Sequence, residues 1–387
     1  MFKQIAAVTA MNIASLPQRL ASSLVTVIGV ACVVAVMISL LAISAGMLRS
    51  ADRGAGHDRV IVLSSGSTAA YMGQISREQA AIIADAPGIK TGPDGKPMVD
   101  PQATIVVEVT KKSDGGSANT GFVGESARWL SLDPNFKLVK GRMFRPAVRE
   151  MIVGKNVRSD FKNMDVGDHV SLRGSDWLVV GAFESNGGLA ENAMIADPDT
   201  VLAAFDRNAF QSVTAELQSP AAFKRFKDSL TTNPQLQVDV KLESQYIHDQ
   251  LSQLTVVLNF VAYFVGAVMA VGAVFGAINT MYSAVDSRAR EIATLRAIGF
   301  GGTAVVVSVL VESLLLALPG ALLGALVAWL LFNGNAAHIA SLSFPLAVTP
   351  GLVLLGVIWS LVIGLIGGFM PSIRAARLPV ASVLRAV

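Results

Sequence analysis

Glu312 is the one Asp, Glu, Lys or Arg between Ala297 and Met370. An acid placed in lipid is costly and marks a site by default. It could pair with Arg296 or with an arginine of another chain, hold an interhelical hydrogen bond, or pass a proton. A relay needs a second buried acid, and none accompanies Glu312. A structural bond or ion pair is the simpler chemistry. The other reactive residue types are not spaced for catalysis. Gly92-Pro-Asp-Gly-Lys96 has the look of a phosphate loop, but the glycine five residues before Gly95 is missing and Pro97 stands where the hydroxyl residue belongs. It reads as a turn. His57, His169, His248 and His338 lie far apart without ligand spacing, so no metal site is expected. No Gly-x-Ser-x-Gly elbow occurs. Cys32 is the single cysteine and cannot form an intrachain disulfide. These absences argue against an enzyme active site and against a cofactor held by this chain.

The charged residues that are organised lie between Val285 and Phe300. No Asp, Glu, Lys or Arg occurs from Gln250 to Val285, so this short charged stretch is wedged between two long uncharged runs. Ile292, Leu295 and Ile298 fall on one face of a helix, and Arg288, Glu291 and Arg296 on the polar side. Gly299 should end that helix, and Gly301-Gly302 should free the chain to turn. A charged turn between two membrane spans must lie at a membrane surface. Its three arginines against two acids predict the cytoplasmic side. An amphipathic helix tied to two spans can receive force from a soluble partner.

The elements that must position this helix follow from composition. The 387 residues are 52% hydrophobic and 15% charged, well below the roughly 25% charge of a soluble domain. Four runs exceed the ~20 apolar residues that a bilayer core needs. The expected division is an inner-face amphipathic helix over 1–18, a span over 19–48, an exterior domain over 49–241, a stalk and second span over 242–285, the charged helix over 286–302, a third span over 303–331, a short exterior loop over 332–349, a fourth span over 350–373 and a tail over 374–387. Residues 1–46 are too long an apolar anchor for an ordinary signal peptide. Lys3, Arg19, Arg288, Arg290, Arg296, Arg374, Arg377 and Arg385 all fall on one side, while Phe332–Thr349 has no Lys or Arg. Both termini are therefore expected in the cytoplasm of a multi-pass inner-membrane protein.

The exterior segment has a different character. From Arg49 to Gln250 it holds 23 basic and 25 acidic residues, so the basic balance of the chain reflects topology rather than nucleic-acid binding. Arg59–Leu63, Thr104–Val109, Met151–Val153, His169–Leu172 and Trp177–Val180 are strand-like runs. Val166-Gly167-Asp168 and Arg173-Gly174-Ser175 read as turns, and Ser76–Asp85, Asp197–Phe205 and Pro220–Asn233 as helices. The fold class predicted is an α+β membrane protein, with four transmembrane helices and a large mixed α/β domain between the first two. Gly272/Gly276, Gly320/Gly324 and Ser360/Gly364/Gly368 permit close helix contact, within one chain or between two copies. Pro319 is expected to kink the third span without ending it.

These residues resemble the permease subunits of MacB/FtsX-type ABC transporters. The inner-face helix of that family reads R-x-R-E-I-x-x-L-R-A-x-G, and Arg288-Ala-Arg-Glu-Ile-Ala-Thr-Leu-Arg-Ala-Ile-Gly299 is similar throughout. Glu312 stands in the place of the acid usual early in the third span. The ending from Pro371 to Arg385 is similar to the family's tail. Gly141-Arg-Met-Phe144, Val153-Gly-Lys-Asn156, Val166-Gly-Asp168 and Val179-Val-Gly-Ala-Phe183 resemble its periplasmic core domain. The resemblance implies ATPase coupling through Arg288, Arg290, Glu291, Ile292, Leu295, Arg296 and Gly299, with Glu312 as an intramembrane polar residue. No ATPase domain is fused before the first span, which implies a separate ABC ATPase subunit that binds ATP and Mg. Two permease copies, as a homodimer or a heterodimer, and a periplasmic adaptor are further partners that the resemblance implies, with lipid around the spans. The implied role is export by transmitted motion, since no polar stripe lines the spans. Lipoprotein extraction, FtsX-like activation of a cell-wall hydrolase and ligand sensing without transport are the alternatives.

Overall fold

A computed structural model describes residues 20–54, 56, 58–339 and 342–379. The inner-face helix expected over 1–18 and the tail beyond residue 379 lie outside the described residues. Among the described residues, four helices are long and apolar enough to cross a membrane. They are α1 (Leu20–Gly54), α7 (Glu243–Ser287), α9 (Gly302–Phe332) and α10 (Pro350–Ala376). With 45 residues and ~1.5 Å of rise each, α7 is about twice as long as a ~30 Å hydrocarbon core is thick. Its polar first turns, from Glu243 to Gln253, group with the α/β part of the chain and the remainder with the helices, so the chain divides into two units. Helix α9 continues through Pro319.

The helical unit packs through small residues. A methyl group added at Gly320 would meet the Val27 carbonyl at 2.8 Å, and one at Gly324 would collide with that of Ala31, so α9 and α1 approach backbone to backbone. Gly364 sits against Ala317 and Ser313 in the same way, and Gly368 against Ser313. The Ser313 hydroxyl donates to the Gly364 carbonyl at 2.9 Å. Two of the three small-residue pairs are therefore used inside this chain. Gly272 and Gly276 face open space. Val30, Val34 and Ile38 of α1 meet Ala321, Ala325, Ala328 and Ile363 in the core. The outer surface is apolar as well, with Phe260 68%, Phe264 60% and Leu330 63% exposed. Such a surface suits lipid and not water.

The α/β unit is built on one ten-stranded sheet in the order β10-β1-β9-β2-β3-β8-β5-β7-β4, with β6 paired to β7. The strands are β1 (Arg59–Ser64), β2 (Val99–Thr110), β3 (Ser117–Gly124), β4 (Phe136–Gly141), β5 (Glu150–Gly154), β6 (His169–Leu172), β7 (Ser175–Ser185), β8 (Ala193–Ala196), β9 (Ser212–Glu216) and β10 (Val238–Leu242). Strand β2 joins the two halves of the sheet. Its Val99–Gln102 stretch pairs with β9 and its Ala103–Thr110 stretch with β3. Helices α2 (Arg77–Ala84), α3 (Ala127–Leu132), α4 (Lys155–Asp160), α5 (Pro198–Ala204) and α6 (Ala222–Thr231) complete the unit. Ser76 and Gln79 form a capping box on α2, and the Asp197 side chain caps α5, which fixes both starts. Phe122 and Trp177, both fully buried, meet edge to face with centroids 4.7 Å apart.

The strand-like runs read from sequence lie in β1, β2, β5, β6 and β7. Strands β3, β4, β8, β9 and β10 carried no such signal. Ser117–Gly124 is rich in polar and small residues and is a strand because β2 and β8 pair with it on both sides. The loop between α9 and α10 also holds structure, a hairpin of β11 (Ala336–Ile339) and β12 (Leu342–Pro345). That hairpin groups with the α/β unit.

Candidate functional site

Helix α7 breaks at Arg288, and α8 (Ala289–Ala297) leaves from it. Arg288 caps no helix with its side chain. The guanidinium turns inward, 4% exposed, and its Nη1 donates to Glu312 Oε2 at 3.2 Å. Glu312 lies on α9 and is itself 6% exposed. Arg296, one of the partners open to Glu312 in the sequence, is engaged elsewhere. Its Nη1 donates to the carbonyls of Ala376 at 2.6 Å and Leu378 at 3.1 Å. These are carbonyls at and just past the end of α10, where a helix leaves its last acceptors unpaired. Arg374 of α10 in turn lies 3.7 Å from Asp286 and stacks over Tyr282 at 5.2 Å. Three arginines thus tie α7, α8, α9 and α10 together.

The apolar side of α8 is turned inward at Ile292, but Ile298, expected on the same face, lies past the helix end and is exposed. Ile292, expected on the docking face, is 8% exposed and packs with Val285, Val305, Val309 and Ala375. Arg288, expected on the solvated polar side, is buried for the same reason. Leu295 and Arg296 are half-buried, while Arg290, Glu291, Thr294, Ala297 and Ile298 are exposed. Ile298 is 69% exposed. The end of α8 is a Schellman turn. Gly299, with φ of +100°, donates to Arg296 O, and the Phe300 N–H donates back to Leu295 O, each at 3.1 Å. A residue with a Cβ would be strained there. A cavity of about 30 Å³, lined by Arg288, Glu291, Ile292, Leu295 and Glu312 among others, sits beside the ion pair. Arg288 Nε and Nη2 are buried without a hydrogen-bond partner.

A second polar assembly lies in the α/β unit, where β1 and α7 begin. Arg59 Nη2 is 3.0 Å from Asp133 Oδ2 and stacks over Trp129. Glu243 Oε2 accepts from the Gly56 N–H at 3.4 Å. Glu125 Oε1 accepts from Gln102 at 3.0 Å. Asp100, 1% exposed, accepts from the Ser126 N–H at 3.2 Å. Burial pushes all three carboxyls up, and the charges of Asp100 and Glu243 raise Glu125 further. One cation, Arg59, faces Glu125 and Glu243. By contrast, Arg142 and Arg145 hold the buried Glu150 carboxyl down, to about 2.

The residues read against chemistry are not gathered into a reactive centre. Gly92–Lys96 is a turn closed by Gly92 N–H to Lys96 O at 2.8 Å and held by Arg128 on Asp94. His248 pairs with Asp52 and His338 with Asp160, while His169 lies on β6. His57 lies outside the described residues. Among the described residues no three His, Cys, Asp or Glu are placed to hold a metal ion.

Residues 23–233 match the MacB-like periplasmic core domain, and residues 263–380 match the C-terminal domain of FtsX-like permeases. The chain belongs to the MacB/FtsX-type family of ABC transporter permeases. It is 32% identical over 131 residues to the macrolide export ATP-binding/permease protein MacB of Campylobacter jejuni, over 34% of this chain and 19% of that one. It is 24% identical over 237 residues to the uncharacterized ABC transporter permease YknZ of Bacillus subtilis, over 58% of each. The matched stretches thus cover less than two thirds of these relatives. Among solved structures, the periplasmic region of MacB from Actinobacillus actinomycetemcomitans is 14% identical over 52% of this chain and 95% of that one, with a TM-score of 0.38. The extracellular domain of the YknZ transporter is 15% identical over 50% of this chain and 95% of that one, with a TM-score of 0.34.

Proposed function

We propose that this chain is the permease subunit of an ABC exporter in the inner membrane, and that it carries motion driven by a separate ATPase to its α/β domain. The permease itself is not an enzyme. ATP and Mg are bound by the ATPase subunit, which docks on the exposed face of α8. The observation that carries this reading is the triple tie of α8. Arg288 on Glu312, Arg296 on the end of α10 and Ile292 in the core leave α8 no freedom of its own. A push on Arg290, Glu291, Thr294 or Ile298 must then move the spans. The Lys/Arg asymmetry supports a cytoplasmic α8 and an exterior α/β domain.

The partner set consists of two ATPase copies and a second permease copy, with an adaptor on the exterior domain and lipid around the spans. Gly272 and Gly276 of α7, open in one chain, suit the permease–permease contact. The test is reconstitution in lipid with the ATPase that co-purifies. Addition of the permease is expected to change ATP hydrolysis severalfold, and ATP is expected to alter hydrogen exchange in the α/β domain. A chain that captures no ATPase, or whose α/β domain does not respond to ATP, would sink the proposal.

A further inference from the structure

The hairpin β11–β12 connects α9 to α10, yet its contacts place it with the α/β unit. Ser343 is the reason. It is 4% exposed, and its backbone is paired as if to a neighbouring strand. The partner is one side chain. The Ser343 N–H donates to Asn192 Oδ1 at 2.7 Å, and Asn192 Nδ2 donates back to Ser343 O at 3.1 Å. A carboxamide has one donor end and one acceptor end, so it can satisfy both backbone groups of a residue at once. Asn156 of α4 adds a second donor to Ser343 O at 2.8 Å. The Ser343 hydroxyl donates to Asp160, the last residue of α4, and lies 2.6 Å from His338 Nδ1. Phe344, next along β12, is 1% exposed. A surface loop of ten residues would ordinarily be solvated. Here the Ser343 backbone is held by two side chains, Asn192 and Asn156, and its hydroxyl by a third, Asp160, all within the α/β unit.

We propose that this hairpin is a latch through which the α9–α10 span pair carries the α/β domain, in addition to the helical connections α1 and α7. The proposal rests on the motion-transmitting reading above. The Asn192–Ser343 amide pair is its key contact, with Asn156 and Asp160 as reinforcement. Because the contact is made to the backbone of Ser343, the identity of that residue matters less than that of Asn192.

Hydrogen exchange on the full-length permease in lipid nanodiscs, with and without the co-purifying ATPase, tests this. In the permease alone, Asn192→Ala is expected to speed exchange of the 342–345 amides about tenfold or more, while β1, β5 and β7 stay protected. Ser343→Ala keeps the backbone pairing and should change exchange far less. In the complex, ATP is expected to alter exchange at the hairpin and at α4 in wild type. Asn192→Ala should abolish that response while ATP hydrolysis and the response of α8 persist. Unchanged 342–345 exchange in Asn192→Ala would overturn the clip. Faster exchange with a normal ATP response at α4 would overturn the latch and leave only a structural contact. A wild-type complex with no ATP response anywhere would instead refute the transport reading, which the exchange result on the permease alone leaves separate.

Discussion

Arg288 and Glu312, 24 residues apart in sequence, form a buried ion pair at 3.2 Å that fastens the start of α8 to α9. Removing one member of such a pair strands the other charge, at a cost of about 3–5 kcal/mol. Glu312→Leu and Arg288→Ala should each lower the thermal unfolding temperature in detergent by several degrees. Glu312→Gln keeps an acceptor but leaves the guanidinium uncompensated, so it should also be destabilised. The double variant Arg288→Met/Glu312→Leu should recover most of the loss. Wild-type melting of Glu312→Leu would show that the pair holds nothing.

Ile292 in α8 and Ile298 just past its end separate folding from docking. Ile292→Asp puts a charge among Val285, Val305 and Val309 and should destabilise the chain by a few kcal/mol, seen as poor recovery from membranes. Ile298→Asp, at an exposed position, should leave melting unchanged and reduce ATPase co-purification at least tenfold. Equal ATPase capture by Ile298→Asp and wild type would exclude this end of α8 from the docking face.

Gly324 and Gly272 make a matched comparison within the helices. A side chain at Gly324 runs into the Ala31 backbone, so Gly324→Val should cost about 1–3 kcal/mol by overpacking. A Cβ at Gly272 meets nothing within 4 Å in its own chain, so Gly272→Val should leave unfolding of the monomer unaffected. Chemical denaturation of the two variants in the same detergent measures both. Equal stabilities would mean that α1 and α9 are not in backbone contact.

The α/β domain should have a stability optimum on the acid side of neutrality. Burial pushes the Asp100 and Glu125 carboxyls up from their ordinary 3.8 and 4.5 to about 7 and about 8 in the folded domain. Between those limits the folded state holds protons that the unfolded state has lost. Stability therefore falls as pH rises from about 4 to about 8. Glu150 acts in the opposite direction. Its contribution is present above 4.5 and is lost as pH falls towards about 2. Melting of the full chain, followed by Trp129 and Trp177 fluorescence from pH 4 to pH 9, should peak near pH 5. Asp100→Asn or Glu125→Gln should flatten the alkaline limb. A limb unchanged in both variants would assign the pH dependence elsewhere.

The four apolar runs, the charged helix between the second and third, and its glycine stop were legible from residue order, because hydropathy and helix capping are local properties. So were Ser76 and Asp197 as helix starts. Strands such as Ser117–Gly124 were not, since their pairing comes from β2 and β8 and not from their own side chains. The partner of Glu312 was equally hidden. Arg288 and Arg296 both lie on or beside α8, and sequence spacing says which face each occupies without saying which face is covered. Packing of Ile292 against α9 and α10 turned that helix, and the turn chose Arg288. Asp100, Glu125 and Glu243 likewise come from three separate elements, so their shared burial exists only once the sheet and α7 have met. The hairpin at Ser343 had no signal beyond a short uncharged loop. Its place was decided by a side-chain amide of Asn192, 151 residues away, which tertiary structure alone brings within reach.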